Sequence, residues 1–175
     1  MRTLPKAKRV VASRPNSDWP IWNLLSSVST NNPLSISIQQ NLQSTMSDTP
    51  SGRFKIANVA YPYRYVSMSD NKQFVGQDDG NMIQVDVIDN VKGLVTLYDG
   101  SVGVYIGVDL QKNRVVAYDD PQVLQLSAAG NGSYLIHPQD QDKVWVLDND
   151  VIGTAISVEP APGSNKKYWT FEMLE

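Results

Sequence analysis

An apolar pair with one residue between its members occurs three times along this chain at nearly regular intervals. The pairs are Val85 with Val87, Leu124 with Leu126, and Trp169 with Phe171. Residues two apart on an extended chain point to the same face, so each pair predicts a strand with one buried side. The pairs begin 39 residues (85 to 124) and 45 residues (124 to 169) apart, a spacing typical of internal structural repeats.

A glycine followed by a short alternating strand repeats at the same interval. Gly52, Gly93 and Gly132 lie 41 and 39 residues apart, and each precedes such a strand. A second strand is predicted at 65–68, 105–108 and 145–148, and a third strand around 74–75, 115–116 and 155–156. Together with the strand that carries the apolar pair, each unit has four strands.

Twelve short strands in three equal units, with no helix between them, predict an all-β chain with the β-trefoil fold. A single four-stranded unit cannot cover its own apolar face, whereas three units around a pseudo-threefold axis close a small barrel and cap it. A propeller would need more than three blades, and a Greek-key sandwich would not explain the repeat. The predicted domain covers 46–175, with repeats at about 52–92, 93–131 and 132–175.

Residues 1–45 differ from the rest of the chain in charge and composition. They carry five Lys and Arg residues against one Asp, a net charge of +4, whereas 46–175 carry 10 against 17 acids, a net charge of −7. The segment is rich in Ser, Asn, Gln and Pro, which predicts a basic, largely irregular and flexible N-terminal extension. A transit peptide, or a natural start at Met46, is the alternative. The apolar residues within 19–25 could form a short helix that docks on the domain.

The inventory of reactive side chains argues against an enzyme. The chain has one histidine, His137, and no cysteine. It has no nucleophile elbow, phosphate-binding loop or zinc-protease motif. Paired acids such as Asp78 and Asp79 lie in predicted turns, where aspartate is common for conformational reasons. The sequence therefore predicts a non-catalytic protein that uses no cofactor and no metal.

Charge and hydropathy exclude two further kinds of partner. The acidic domain would repel phosphate groups, which argues against nucleic acid. No apolar run approaches the roughly 20 residues that a membrane-spanning helix needs. No apolar core of a secretory signal follows Arg2, which predicts a cytoplasmic protein.

Three stretches of the sequence resemble the ricin B-type β-trefoil lectins, in particular the small cytoplasmic lectins of mushrooms. Residues 51–59 resemble the opening strand of that family, residues 104–109 its Tyr-Leu-Gly-Val strand, and residues 165–172 its Trp-containing terminus. The resemblance covers about 51–175. It implies a metal-independent protein that binds glycans or glycoproteins, and a homodimer would raise its avidity.

In that family each sugar site combines an Asp near the second strand, an aromatic or His on a loop, and an Asn close to a Gln-x-Trp motif. On this pattern the candidate site residues are Asp109, Tyr118, Asp120 and Gln122 in the second repeat and Trp145, Asp148, Asn149 and Asn165 in the third. The first repeat has Ser67 where the Asp is expected. The Gln-x-Trp positions read Ile83-x-Val85, Gln122-x-Leu124 and Lys167-x-Trp169. Turn formation by the acids and core packing by Trp145 are the structural alternatives.

Protease inhibition is the alternative function, because related β-trefoils insert one exposed loop into the cleft of a protease. Residues 112–114, which read Lys-Asn-Arg between two strands, would suit a trypsin-like enzyme. The stiffest loop is the proline-containing segment 160–165. A protease is therefore the second predicted partner, after glycans.

Overall fold

The computed structural model describes residues 48–173, which form thirteen strands and one short 3-10 helix at Asn165–Lys167. The strands are β1 (Gly52–Asn58), β2 (Tyr65–Met68), β3 (Phe74–Gln77), β4 (Ile83–Asp89), β5 (Leu94–Asp99), β6 (Val104–Asp109), β7 (Arg114–Tyr118), β8 (Leu124–Gly130), β9 (Ser133–Pro138), β10 (Lys143–Val146), β11 (Thr154–Ala155), β12 (Ser157–Pro160) and β13 (Trp169–Glu172). The predicted boundary at 45/46 and the apolar stretch at 19–25 lie outside the described residues.

Six of the strands close into an antiparallel barrel. Strand β1 pairs with β4 and β13, β5 pairs with β4 and β8, and β9 pairs with β8 and β13. Each barrel strand therefore has a neighbour on both sides, so the barrel exposes no unpaired edge.

Three hairpins, β2–β3, β6–β7 and β10–β12, lie at one end of the barrel and join one another. Thr154 of β11 pairs with Gly76 of β3, and Ser157 of β12 pairs with Arg114 of β7. An isolated bridge between Gln73 and Val116 completes the ring of hairpins. The third strand of the last repeat is split at Ile156 into β11 and β12, so the twelve predicted strands appear as thirteen.

The core is built in levels, and each repeat contributes one side chain to every level. The levels are Ile56, Leu97 and Ile136; Val66, Ile106 and Trp145; Phe74, Val115 and Ile156; and Ile83, Leu124 and Trp169, all at most 1% exposed. A level is filled only when all three repeats are present, so no single repeat could bury its own apolar residues.

Two details of the predicted repeats are wrong in register. Ile83, Leu124 and Trp169 are the equivalent residues, because each begins the fourth strand of its repeat. The apolar pair of the first repeat is therefore Ile83 with Val85, and Val87 is only half-buried. Ile83, Val85 and Val87 alternate along β4 before a bulge. The sequence alone therefore does not show which two of them correspond to the apolar pairs of the other repeats.

The second strand of the last repeat is also shifted from its predicted position. It runs over Lys143–Val146 rather than 145–148. Trp145 pairs with Val158, as Val66 pairs with Gly76 and Ile106 with Ala117, so these three are equivalent. The distance from the opening glycine predicts that Trp145 is equivalent to the outward Tyr65 and Tyr105, whereas the pairing makes it equivalent to the inward Val66 and Ile106.

Candidate functional site

The pairing registers identify equivalent surface positions in the three repeats. Two residues before the fourth strand stand Asn81, Gln122 and Lys167. The first repeat thus has Asn81-x-Ile83 where the family has Gln-x-Trp. The prediction that Ile83-x-Val85 occupies this position is wrong. On the third strand, the equivalent residues are Gln77, Tyr118 and Glu159, which pair with Tyr65, Tyr105 and Val144.

The second repeat brings an aromatic ring and an amide together above a glycine. A Cβ added to Gly107 would lie 2.6 Å from Cγ of Gln122 and 2.6–2.7 Å from two ring carbons of Tyr118. Only glycine leaves room for both side chains at this point of β6. The hydroxyl of Tyr118 donates to the carbonyl of Val108 at 3.2 Å, which fixes the direction of the ring along the strand.

Polar groups surround this aromatic ring. Nε2 of Gln122 donates to the backbone carbonyl of Asp120 at 3.4 Å. Both Tyr118 and Gln122 are half-buried, and Asp120 is exposed. Three of the four residues predicted for the second repeat therefore lie on one accessible surface.

Asp109, the fourth predicted residue, lies at the end of β6, one residue beyond the carbonyl that Tyr118 reaches. Its Oδ1 accepts hydrogen bonds from the backbone N–H groups of Gln111 at 3.0 Å and Lys112 at 3.1 Å. The backbone hydrogen bond from Lys112 is the main reason why the pKa of Asp109 is lowered. Asp109 therefore shapes the β6–β7 turn, and Oδ2 lies 3.4 Å from Nζ of Lys112.

Of the four residues predicted for the third repeat, one is buried and three are exposed. Trp145 is fully buried and packs edge-on against Trp169, with ring centroids 6.2 Å apart, so its ring offers no face to a ligand. Asp148 and Asn149 are exposed in the loop after β10, and Oδ1 of Asn149 accepts from the N–H of Val151 at 3.0 Å. Asn165 begins the exposed 3-10 helix before β13.

Comparison with known proteins gives matches at the level of structure alone. No family profile and no curated protein sequence matches the chain. The ricin B-like lectin of Macrolepiota procera, solved with lactose, is 21% identical with a TM-score of 0.63, over 71% of this chain and 98% of that one. A proteinase inhibitor from Coprinopsis cinerea is 14% identical with a TM-score of 0.58, over 71% and 99%.

A third match supports the threefold reading of the fold. The designed threefold-symmetric protein ThreeFoil has a TM-score of 0.62 at 13% identity, over 71% of this chain and 100% of its own. The chain is a β-trefoil. Its fold is shared by ricin B-like lectins and by a fungal proteinase inhibitor, as the resemblance in the sequence implies.

The first repeat of the trefoil uses its polar groups internally. Oγ of Ser67 donates to Oδ1 of Asn81 at 3.0 Å, and Nδ2 of Asn81 donates to Oδ2 of Asp99 at 2.6 Å. Asp99 is fully buried. The sequence does not predict the bond between Asn81 and Asp99, although Asn81 is a polar residue two positions before a buried strand start.

The aromatic side chain of the first repeat is flanked by an ion pair. Nζ of Lys55 lies 5.8 Å from the ring centroid of Tyr65 and 2.6 Å from Oδ1 of Asp79. Burial raises the pKa of Tyr65 above its ordinary value. The side chain of Asp79 is exposed, so salt in the solvent weakens the attraction between Lys55 and Asp79.

Two negative observations hold for residues 48–173. None of the helices there is long and apolar enough to cross a membrane. The same residues contain no group of three or more His, Asp and Glu side chains arranged to hold a metal ion.

Proposed function

We propose that this chain is a non-catalytic, metal-independent carbohydrate-binding protein whose principal site lies on the second repeat. The observation that carries the proposal is the arrangement of Tyr118 and Gln122 above Gly107. An aromatic ring stacks on the apolar face of a sugar, and amides and carboxylates bond to its hydroxyl groups. Asp120 supplies an exposed carboxylate, and Asp109 shapes the adjoining β6–β7 turn. A glycan or the glycan of a glycoprotein is the proposed partner.

A site of this kind is shallow, so its affinity should be low. Millimolar binding corresponds to about −4 kcal/mol. Useful avidity then needs a second site or a homodimer. In the third repeat, Asp148 and Asn149 remain candidates for a weaker site without the ring of Trp145, which is buried.

A glycan array tests this proposal, followed by titration of the strongest hit into purified variants. Tyr118→Ala and Gln122→Ala should each weaken binding about tenfold or more, because each removes a group that contacts the sugar. Tyr63→Ala is the matched control, since Tyr63 is 78% exposed on the first repeat. Asp148→Ala reports whether the third repeat contributes.

Two outcomes would contradict the assignment. A glycan array without any hit would contradict the proposal that the protein binds carbohydrate. Equal affinities for the wild type, Tyr118→Ala and Gln122→Ala would place the sugar elsewhere on the trefoil. Circular dichroism of each variant separates a lost contact from a lost fold.

Protease inhibition is the second candidate, and the β6–β7 turn favours it. Asn113 is anchored on both sides, since its Oδ1 accepts from Nζ of Lys143 at 2.6 Å and its carbonyl accepts from the N–H of Val158 at 2.9 Å. The side chain of Lys112 is 72% exposed at this anchored tip. A trypsin inhibition assay with the wild type and Lys112→Ala tests it, and no inhibition by the wild type would exclude this class of protease.

A further inference from the structure

The hairpin tip of the third repeat exposes two neighbouring aliphatic side chains. Val151 is 64% exposed and Ile152 is 53% exposed. The corresponding tip of the first repeat carries Asp70, Asn71 and Lys72, which are all polar. The same position of the fold is thus apolar in the third repeat and polar in the first. Formation of the fold therefore does not require Val151 and Ile152.

Hydrogen bonds hold the tip in this outward conformation. Oδ1 of Asn149 accepts from the N–H of Val151 at 3.0 Å and from Oγ1 of Thr154 at 2.6 Å. The N–H of Gly153 donates to the carbonyl of Gly76 at 2.9 Å. The two aliphatic side chains are therefore fixed on the surface and do not fold back onto the barrel.

The tip is hydrogen-bonded to the segment that carries a third exposed apolar side chain. The guanidinium of Arg64 donates to the carbonyl of Asp150 through Nε and to the carbonyl of Tyr63 through Nη1 at 3.0 Å. Arg64 thereby links the tip to Tyr63, which is 78% exposed. We call Tyr63, Val151 and Ile152 the tip surface. Several exposed apolar side chains on neighbouring segments are typical of an interaction site. A single exposed apolar side chain is common on any protein surface.

Acidic groups border the tip surface. Asp148 and Asp150 are exposed on the same loop, and residues 46–175 carry a net charge of −7. The hydroxyl of Tyr61 donates to the carbonyl of Asp148 at 3.1 Å, which fixes this side of the loop. These two carboxylates outnumber the one guanidinium bonded to the loop, that of Arg64, so an anionic lipid surface would be repelled and a positively charged ligand attracted.

We propose that the tip surface docks a protein segment in which aliphatic side chains alternate with lysine or arginine. Its aliphatic groups would cover Val151 and Ile152, and its cations would face Asp148 and Asp150. This surface is separate from the Tyr118 site, so both can be occupied in one molecule.

Nuclear magnetic resonance with methyl-labelled valine and isoleucine tests the proposal. A short synthetic peptide of alternating leucine and lysine should shift the methyl signals of Val151 and Ile152. Val151→Ser/Ile152→Ser should weaken its binding about tenfold or more, and Asp150→Asn should weaken it less and reduce its salt dependence. Val91→Ser is the matched control, because Val91 is an aliphatic residue, 94% exposed, in the turn between β4 and β5 and is not part of the tip surface.

Three results would overturn the proposal. One is the absence of shifts at Val151 and Ile152 with the leucine–lysine peptide. Another is equal binding of a leucine–glutamate peptide, which would show that charge plays no part. The third is that neutral phosphatidylcholine vesicles shift these methyl signals while the peptide does not, which would identify a lipid surface instead.

Discussion

The side-chain amide of Asn81 donates a 2.6 Å hydrogen bond to the carboxylate of Asp99 and so joins the first repeat to the second. The other carboxylate oxygen of Asp99 accepts from the N–H of Ser101 at 2.9 Å. Asp99 is fully buried, so its carboxylate is the acceptor of both hydrogen bonds at a place that water does not reach in the native fold. This polar junction lies between the barrel and the β5–β6 connection, where the two repeats meet.

Asp99→Ala should lower the free energy of unfolding by about 1–3 kcal/mol, because it removes the charged acceptor of the hydrogen bonds from Asn81 and Ser101. Urea unfolding followed by fluorescence measures this loss. Asp86→Ala is the control, since Asp86 is exposed on β4 and bonds only to the exposed side chain of Gln84 among the described contacts. Similar losses for both variants would contradict a special role for the junction.

Trp169→Ala should destabilise the trefoil by about 3–5 kcal/mol, as other large-to-small changes of buried aromatic residues do. Trp169 is fully buried, and its Nε1 donates to the carbonyl of Trp145 at 3.2 Å. Trp169→Phe keeps most of the apolar volume and should lose less. A loss below about 1 kcal/mol for the alanine variant, measured by urea unfolding, would show that the core repacks around the cavity.

Gly93→Ala should destabilise the protein more than Gly132→Ala, although both glycines have a positive φ, of 66° and 70°. A Cβ on Gly93 would lie 2.2 Å from the backbone oxygen of Leu126, whereas one on Gly132 meets nothing within 4 Å. The strain of the left-handed conformation is about 1–2 kcal/mol for each. Thermal unfolding of both variants measures the additional effect of the clash with Leu126. Equal losses of stability in the two variants would show that this clash has no effect.

Lowering the pH from 7 towards 5.5 should destabilise the folded state through His137. Burial lowers the pKa of His137, an effect larger than the opposite one of the Pro138 carbonyl. The unfolded chain, with a histidine pKa of about 6.5, then takes up the proton first, so stability falls as the pH drops below that value. His137 also lies 2.9 Å from Oγ of Ser127 through Nε2.

The His137→Gln variant measures this contribution. Its free energy of unfolding should change less between pH 7 and 5.5 than that of the wild type, because glutamine does not titrate. Urea unfolding at each pH gives both slopes. Equal slopes would mean that other groups carry the pH dependence in this range.

Removing residues 1–45 should leave a cooperatively folding domain. The closed barrel is built between Gly52 and Glu172, and the thirteen strands of the described part of the chain pair only with one another. The hydrogen bonds of Thr49 to Asn90 would be retained. Loss of a cooperative thermal transition in the truncated protein would show that the extension belongs to the fold.

Much of the architecture was predictable because it is periodic. The glycines Gly52, Gly93 and Gly132 and the buried strand starts recur at nearly constant spacing, and a threefold repeat of four strands has few closed solutions. The candidate site was only partly predictable. Tyr118 and Gln122 do lie together, but Trp145 was placed on the surface by its residue type, although its strand turns it inward.

The sequence by itself determined the number of repeats and the approximate places of their strands, because alternation and spacing are properties of the chain. Only the tertiary structure decided which residues are equivalent, since a shift of register by one residue moves a side chain to the other face of a strand. It placed Trp145 with Val66 and Ile106 in the core. It also set Tyr118 against Gly107 on the surface, because that contact joins two paired strands of the β6–β7 hairpin.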